Sequence, residues 1–194
     1  MKLTTRFNEA LVYAAQLHAE QARKGTSIPY IAHLLAVASI ALENNADEDQ
    51  AIAALLHDAI EDQGGKKTGQ DIRKRFGTNI AEIVEACSDT DIEPKPPWKT
   101  RKEDYISHLK NAGGAVLLVS ASDKLHNARA ILTDYRQVGE SLWGRFNGGK
   151  DGTLWYYRAL TETFKDSDQI PKGLINELEY VVSEIEHLAA ISGQ

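Results

Sequence analysis

The fold is decided by residues 47–62, which read Asp-Glu-Asp-Gln-Ala-Ile-Ala-Ala-Leu-Leu-His-Asp-Ala-Ile-Glu-Asp. Asp47 is a favourable N-cap residue, and Gln50 three positions later completes a capping-box pattern. Apolar residues follow with the spacing of one helix face, namely Ile52, Leu55, Leu56, Ala59 and Ile60. The pattern predicts one continuous helix. At about 100° per residue its opposite arc carries four polar residues, which are His57, Asp58, Glu61 and Asp62.

This polar arc has the composition of a metal centre. An adjacent histidine and aspartate, with Glu61 and Asp62 one turn later, can hold a divalent cation and position a water molecule beside it. The alternative is an acidic helix end exposed to solvent, which is the simpler interpretation of an isolated His-Asp pair. The rest of the chain decides between the two.

The composition is that of an ordinary globular protein of 194 residues, 42% hydrophobic and 26% charged. The formal net charge of −6 argues against a general nucleic-acid-coating role. It does not exclude an anionic small substrate, because a local cluster of cations can reverse the field inside a cleft. Cys87 is the single cysteine, which fits a reducing compartment. Neither a signal core nor a membrane span is evident, so we expect a cytoplasmic protein.

Apolar residues recur with helical periodicity along the chain. A buried strand over 115–119 is an alternative, but it would have no sheet partner. We predict helices over about 5–22, 30–43, 68–76, 78–86, 100–110, 115–135 and 151–165, and a last helix after Pro171. Residues 63–67, 88–98 and 139–152 read as loops because they are rich in glycine or proline, and Thr78, Thr100 and Asp151 read as helix caps. The predicted fold class is therefore all-α, a single helical domain.

Residues of metal-binding type recur on other predicted helices. His33 lies near the start of the second helix, and Asp123 lies one turn before Asn127 on a long helix. Together with His57 and Asp58 they would form a site of two imidazoles and two carboxylates, suited to manganese, iron or zinc. Convergence of these distant segments is an assumption at this point. We expect His18 and His126 to be structural histidines that make hydrogen bonds.

The order of these residues resembles the HD superfamily of metal-dependent phosphohydrolases. Within it, the surrounding sequence is similar to the hydrolase domain of the Rel/Spo alarmone enzymes. The matching words are Arg-Lys-Gly at 23–25, Pro-Tyr-Ile-Ala-His at 29–33, Ala-Ala-Leu-Leu-His-Asp-Ala-Ile-Glu-Asp at 53–62, and Ser-Asp-Lys-Leu-His-Asn at 122–127. About 60 residues follow the matching region, too few for a synthetase domain, so the chain resembles the stand-alone small alarmone hydrolases, as does its 154–158 segment.

The resemblance implies roles for individual residues. It implies one divalent ion, typically Mn²⁺ with Fe²⁺ and Zn²⁺ as alternatives, held by His33, His57, Asp58 and Asp123. Glu61 and Asp62 match the acid pair that orients and activates the hydrolytic water. Contacts with the nucleotide or its phosphates are implied for Arg23, Lys24 and Asn127, and less directly for Lys99, Arg101, Lys102, Tyr105 and Arg145.

The implied function is Mn²⁺-dependent removal of the 3′-diphosphate of a purine nucleotide of the ppGpp or ppApp type, with release of pyrophosphate. One alternative is a related HD phosphatase acting on another 2′- or 3′-phosphorylated nucleotide such as NADPH. The other is a catalytically inactive nucleotide sensor, against which the intact acid pair and ligand set argue.

The predicted organisation is one HD phosphohydrolase domain over residues 1–194. Its motif-bearing core covers about 5–135, and helices at about 151–190 complete it. The expected partner is a small purine nucleotide polyphosphate rather than nucleic acid or membrane. The C-terminal apolar stripe is compatible with burial in the monomer and with a homodimer contact.

Overall fold

A computed structural model describes residues 2–88 and 94–191. Within those ranges the chain forms ten α-helices and one 3₁₀ helix, and its only β feature is the isolated bridge between Ala22 and Pro29. The helices are α1 Thr5–Leu17, α2 Ile31–Glu43, α3 Glu48–Leu56, α4 Ala59–Asp62, α5 Lys66–Phe76, α6 Thr78–Cys87, α7 Trp98–Leu109, α8 Gly114–Val138, α9 Gly149–Lys165 and α10 Lys172–Ile191. The 3₁₀ helix is Gly139–Arg145. The predicted all-α fold class is confirmed.

Helix α3 is the centre of the bundle. It packs against α1, α2, α6 and α8, and every residue from Ala51 to Leu56 is completely buried. The predicted Asp47–Gln50 capping box closes its N-terminus, and both reciprocal hydrogen bonds are present. A helix that is apolar on all sides belongs in the interior of a protein, so the expected single apolar stripe understated its burial.

The predicted continuous helix over 47–62 is wrong at residues 57 and 58. Helix α3 ends at Leu56, and the short helix α4 begins at Ala59. In an uninterrupted helix the Asp58 N–H would meet the Ala54 carbonyl. Here that carbonyl accepts a hydrogen bond from Nδ1 of His57 at 2.8 Å, and Asp58 adopts φ −95° and ψ −3°, in the bridge region. The interruption places His57 in the core, only 2% exposed, instead of on a solvated arc.

The first helix ends earlier than predicted, and the residues after it form a loop with its own hydrogen bonds. Helix α1 ends at Leu17 rather than near residue 22. In the segment 21–30, which we call the Arg23 loop, the Arg23 N–H donates to the Ile28 carbonyl at 2.8 Å and the Tyr30 N–H to the Gln21 carbonyl at 2.9 Å. Gly25 has a φ of +75°, which a residue with a Cβ rarely adopts. These contacts fold the loop back beside α2.

Several other predicted boundaries also require correction. Residues 66 and 67 are helical, α6 has Gly77 as its N-cap, and α7 begins at Trp98 with Pro97 as its N-cap, so Thr78 and Thr100 do not cap these helices. Residues 89–93 of the predicted 88–98 loop lie outside the described residues.

The glycine-rich segment 139–152 is largely helical, contrary to its predicted loop character. It contains the 3₁₀ helix and the first turn of α9, so Asp151 lies inside a helix. Two of its glycines accommodate the Trp98 ring: a Cβ on Gly148 would lie 2.6 Å from the ring and one on Gly152 3.1 Å from it. These two glycines therefore allow close packing between α7 and α9.

The remaining helices close the bundle around α8. This 25-residue helix packs against α2, α3, α6, α9 and α10. The buried core is one cluster that extends from Ala10 to Ala189. None of the helices in the described ranges combines the length and the apolar character needed to cross a membrane.

The burial of α3 predicts a large effect of truncation there. Leu55→Ala should lower the free energy of unfolding by about 2–5 kcal/mol, because it removes a fully buried side chain and leaves a cavity. Urea unfolding followed by circular dichroism measures this change. Leu35→Ala is the matched control, since Leu35 is 45% exposed. Equal costs for the two variants would contradict the central position of α3.

Candidate active site

Four side chains from three parts of the chain converge at the interruption between α3 and α4. His33 comes from the first turn of α2, His57 and Asp58 from the interruption, and Asp123 from the middle of α8. Nε2 of His57 lies 3.1 Å from Oδ2 of Asp58 and 3.5 Å from Oδ1 of Asp123. Nε2 of His33 lies 3.4 Å and 3.2 Å from the same two oxygens. The convergence assumed from sequence is therefore present in the fold.

The donor atoms of this cluster fit a single divalent ion. Donors about 2.1 Å from one ion at octahedral or tetrahedral angles lie roughly 3.0–3.4 Å apart, and the four distances above, 3.1–3.5 Å, are close to this range. Both imidazole Nε2 atoms are buried, and neither has a hydrogen-bond partner among the described residues. Candidate ligand atoms of His33, His57 and Asp58 all lie within 4.8 Å of one another, and Asp123 contacts both imidazoles. A shared cation would satisfy all of these atoms.

The outer atoms of the cluster are held by hydrogen bonds. Nδ1 of His57 bonds the Ala54 carbonyl, which leaves the Nε2 lone pair directed at the cluster. Tyr30 Oη donates to Oδ2 of Asp58 at 2.6 Å. Partners of this kind fix the orientation of metal ligands and tune their basicity.

The electrostatics of the cluster favour a positive charge. Burial alone would raise the pKa of Asp58, but the His57 imidazolium and close contact with the His33 ring reverse the direction and place the pKa well below its usual range. Burial would likewise lower the pKa of His57, but the two aspartates raise it well above its usual range. The carboxylates thus attract a proton to His57, and a divalent ion would compete with that proton for the same place.

Asp123 also begins a chain of polar contacts along α8. Its Oδ2 accepts a hydrogen bond from Lys124 Nζ at 2.6 Å, and its Oδ1 accepts one from Asn127 Nδ2 at 2.5 Å. The Asn127 Oδ1 in turn accepts a hydrogen bond from Arg23 Nη2 at 2.6 Å. The Arg23 loop is therefore connected to a potential metal ligand through one amide side chain.

The acid pair of α4 lies beside the cluster in two different settings. Asp62 accepts a hydrogen bond from Gln21 Nε2 at 2.8 Å and lines the adjoining cavity. Glu61 forms an ion pair with Lys95 at 3.3 Å and is not part of the cavity lining. The two acids are consecutive residues of α4, but their side chains have different partners, and only Asp62 reaches the cavity.

A cavity of about 730 Å³ opens beside the cluster, within the usual size range of small-molecule sites. Among the described residues, five cationic and two acidic side chains line it. They are Arg23, Lys24, Lys102, Lys124 and Arg145, with Asp62 and Asp134. The cavity is thus locally cationic in a chain whose formal net charge is −6. Its apolar part includes Ile131, Phe146, Tyr156 and Tyr157.

Three of the residues predicted to contact substrate do not line this cavity. The Lys99 ammonium lies over the Trp155 ring, and Arg101 Nε donates to the Pro96 carbonyl at 3.1 Å. Tyr105 is buried, and its hydroxyl pairs with Ser120 at 2.9 Å. The three side chains are held elsewhere, so the geometry gives no support to them as substrate contacts. Lys102 does line the cavity, and its contact with substrate stays a prediction.

Four residues with a place in the site were not assigned to it from sequence. Tyr30, Lys124 and His126 each contact a potential metal ligand, and Gln21 holds Asp62. Three of them lie within the sequence words that carry the family resemblance. Their closeness in sequence to His33 or Asp123 could have indicated that they belong to the site. Gln21 had no such signal, because its role depends on the fold of the Arg23 loop.

The fold is an all-α bundle, and its site is a cluster of two histidines and two aspartates whose donor atoms could hold a divalent ion. A family model described as HD domain matches residues 10–154. The match spans well over half of the chain, so this protein belongs to the HD domain family. The family predicted from the sequence words is confirmed.

Individual relatives narrow the comparison. The chain is 30% identical over 183 residues to the guanosine-3′,5′-bis(diphosphate) 3′-pyrophosphohydrolase MESH1 of Xenopus tropicalis, covering 93% of this chain and 90% of that protein. It is 35% identical over 132 residues to the bifunctional (p)ppGpp synthase/hydrolase SpoT of Escherichia coli K12, covering 65% of this chain and 18% of that protein. The chain thus spans less than a fifth of the length of SpoT.

A solved structure has the same fold over nearly the whole chain. It is the structure of a metazoan ortholog of SpoT that hydrolyses ppGpp and plays a role in starvation responses. It has a TM-score of 0.78 and 25% sequence identity to this chain, and the alignment covers 95% of this chain and 97% of the other.

The cluster geometry predicts the effect of removing one carboxylate. Asp58→Asn should weaken Mn²⁺ binding by more than about 100-fold, because loss of a ligand should exceed the 10–100-fold effect typical of its outer partners. Calorimetric titration of metal-stripped protein measures the affinity. Asp104→Asn, on the exposed surface of α7, is the control and should bind normally. Unchanged affinity in Asp58→Asn would exclude this cluster as the metal centre.

Proposed function

We propose that this protein is an Mn²⁺-dependent hydrolase that removes the 3′-diphosphate of a ppGpp-type purine nucleotide, releasing pyrophosphate and a nucleoside 5′-polyphosphate. The observation that carries the proposal is the position of a two-histidine, two-aspartate cluster next to a cationic cavity. The names of MESH1 and SpoT agree with this reaction, and so does the description of the structural relative.

The proposed ligands are His33, His57, Asp58 and Asp123, a mixed nitrogen and oxygen set that suits manganese and is poor for soft metals. When bound, a divalent ion makes water more acidic and offsets negative charge at the attacked phosphorus. The protein's own contribution is to hold the ligands in fixed orientations. The hydrogen bonds from His57 to the Ala54 carbonyl and from Tyr30 to Asp58 support this role.

The proposed acid-base group is Glu61, with Asp62 beside it. A carboxylate at this position can accept the proton of the attacking water. The water oxygen forms the new bond to phosphorus, and the bond between phosphorus and the ribose 3′-oxygen breaks. The hydrogen bond from Gln21 to Asp62 supports an orienting role for Asp62 at the cavity wall.

The cations that line the cavity would balance the charge of the nucleotide. Arg23 and Lys24 from the Arg23 loop, with Asn127, are the proposed contacts to the nucleotide and its phosphates. Lys102 and Lys124 add two further ammonium groups on the same lining. These cations can form ion pairs with the phosphates of such a nucleotide.

The purine base would pack on the apolar part of the wall. Tyr156 and Tyr157 from α9 and Phe146 before it present aromatic faces at the cavity, and stacking on such faces tolerates either purine. Comparison of ppGpp with ppApp as substrates therefore distinguishes guanine from adenine. The continuous core from Ala10 to Ala189 supports our further proposal that residues 1–194 work as one HD phosphohydrolase domain.

The experiment measures pyrophosphate and nucleotide release by metal-stripped protein after Mn²⁺ is restored. Parallel reactions with ppGpp and ppApp identify the base, and NADPH tests release of a single phosphate. We expect Mn²⁺-dependent pyrophosphate release from ppGpp or ppApp. Turnover of NADPH alone would replace the proposal with a phosphatase function. Nucleotide binding without turnover of any of the three would indicate a sensor.

The proposed role of Glu61 predicts a specific kinetic change. Glu61→Gln should lower kcat by about 100-fold or more, because an amide cannot accept the proton, while the calorimetric Mn²⁺ affinity stays within a few fold of normal. Glu82→Gln makes the same chemical change at a side chain that is 64% exposed and should leave kcat unaffected. If Glu61→Gln retained normal kcat, the proton acceptor would have to be another group, with Asp62 the first to test.

A further inference from the structure

The Asp62 carboxylate at the edge of the cavity is held by one amide side chain. Asp62 belongs to the short helix α4, is exposed, and lines the cavity beside the cluster. Among the described residues, its carboxylate accepts a hydrogen bond only from Gln21, whose Nε2 lies 2.8 Å from Oδ2 of Asp62. An exposed side chain without such a contact would sample several rotamers. The direction of this carboxylate therefore depends on Gln21.

Two further side chains fix the orientation of the Gln21 amide. Its Oε1 lies 2.7 Å from Nδ1 of His18 and 2.6 Å from Nε2 of Gln63. Because Oε1 has no hydrogen, both of these nitrogens act as donors. The reversed amide would bring Oε1 against the carboxylate of Asp62, where the lone pairs of two oxygens repel each other. Only one orientation of Gln21 satisfies all three contacts.

These three residues, His18, Gln21 and Gln63, form what we call the amide clamp. His18 is the C-cap residue of α1, Gln63 is the C-cap residue of α4, and Gln21 is the first residue of the Arg23 loop. The backbone supports the same arrangement, since the Gln21 N–H donates to the His18 carbonyl at 3.1 Å and the Gln21 carbonyl accepts from the Tyr30 N–H at 2.9 Å. The clamp thus joins the end of α1 to the end of α4.

The burial of His18 indicates that its hydrogen bond has a use beyond stability. His18 is only 2% exposed, and its Nε2 is buried with no hydrogen-bond partner in the described part of the chain. A buried, unpaired nitrogen lowers the free energy of unfolding, so an imidazole is a costly choice at this position. The nitrogen that is paired is Nδ1, and its partner is the Gln21 amide. The imidazole therefore contributes to the site through Gln21.

The two acids of α4 differ in the charge of their partners. Glu61 is paired with the ammonium group of Lys95 at 3.3 Å, whereas the partner of Asp62 is a neutral amide. An ammonium partner offsets the charge of a carboxylate. A neutral amide orients the carboxylate and leaves its negative charge uncancelled. Such a partner suits an acid that has to attract and orient a water molecule.

We propose that Gln21 is a positioning residue that directs the Asp62 carboxylate toward the hydrolytic water. His18 and Gln63 set the orientation of the Gln21 amide and act on Asp62 only through it. The inference rests on the role proposed above for Asp62 in orienting the water. It adds a neutral hydrogen-bond network, built from the ends of α1 and α4, as the device that keeps this acid in place.

The clamp can be tested by NMR of the side-chain amides in ¹⁵N-labelled full-length protein, without metal or substrate. Gln21→Glu identifies the Gln21 signals by their disappearance. We expect one amide proton of Gln21 to be shifted downfield in the wild-type protein, because it bonds a carboxylate, and this shift to be lost in Asp62→Ala. Gln137, exposed near the end of α8, supplies the reference signals. Gln21 signals that are identical in Asp62→Ala and the wild type would overturn the proposal.

Kinetics with Mn²⁺ and the nucleotide that turns over test the positioning role. Gln21→Glu keeps the size of the side chain and an oxygen for its two donors, but it turns a second anion toward Asp62. It should lower kcat by about 10–100-fold through misplacement of the carboxylate, with KM within about threefold of normal. Gln137→Glu makes the same chemical change at an exposed position and should leave kcat unaffected.

A double variant distinguishes positioning from a general loss of structure. In an Asp62→Ala background, Gln21→Glu should change kcat by less than about twofold, because its effect passes through the missing carboxylate. The same large loss of kcat in both backgrounds would overturn the positioning role. If no nucleotide is hydrolysed, the hydrolase proposal fails, whereas the NMR result still decides whether Gln21 holds Asp62.

Two variants of His18 test the donor behind Gln21. An asparagine amide nitrogen can take the former Nδ1 position, whereas leucine removes the donor together with the unpaired nitrogen. His18→Leu should lower kcat by about tenfold, and His18→Asn should keep kcat within about threefold of normal. Equal kcat values in the two variants would remove His18 from the clamp.

Discussion

The structure depends on one electrostatic constraint, which is the convergence of the buried Asp123 carboxylate, the partly buried Asp58 carboxylate and two buried imidazole nitrogens around a common point. Buried anions require a cation or strong hydrogen bonds, and buried unpaired nitrogens are costly. Part of this requirement is met by the hydrogen bond from Tyr30 to Asp58 and by the ion pair between Lys124 and Asp123. The remaining demand for positive charge is what a divalent ion meets. The bundle places this point against its most buried helix, α3, where the surroundings are least able to shift.

The interruption after Leu56 shows how that constraint shapes the backbone. A regular helix would carry His57 and Asp58 on successive positions about 100° apart. The bond from the His57 ring to the Ala54 carbonyl and the bridge-region backbone of Asp58 instead turn both side chains toward His33. The regular helix is therefore interrupted at the residues that form the site.

Sequence reasoning succeeded where the signal was repeated over many residues. The apolar periodicity of α2, α8 and α10 gave the all-α class, and the separate histidine and aspartate words gave the family. It failed where one tertiary contact outweighs local pattern. The glycines at 148 and 152 read as loop residues, yet their role is to admit the Trp98 ring. Tyr105 read as a cavity residue, yet its hydroxyl turns to Ser120 in the core. Neither contact leaves a trace in spacing or composition.

The contact between Trp98 and the two glycines also has a mechanical consequence. The indole of α7 lies so close to the start of α9 that neither helix can slide past the other without a clash. Lys102 of α7 and the tyrosines of α9 therefore belong to one tightly packed helix pair. A ligand in the cavity thus meets Lys102 and these tyrosines at a fixed relative spacing.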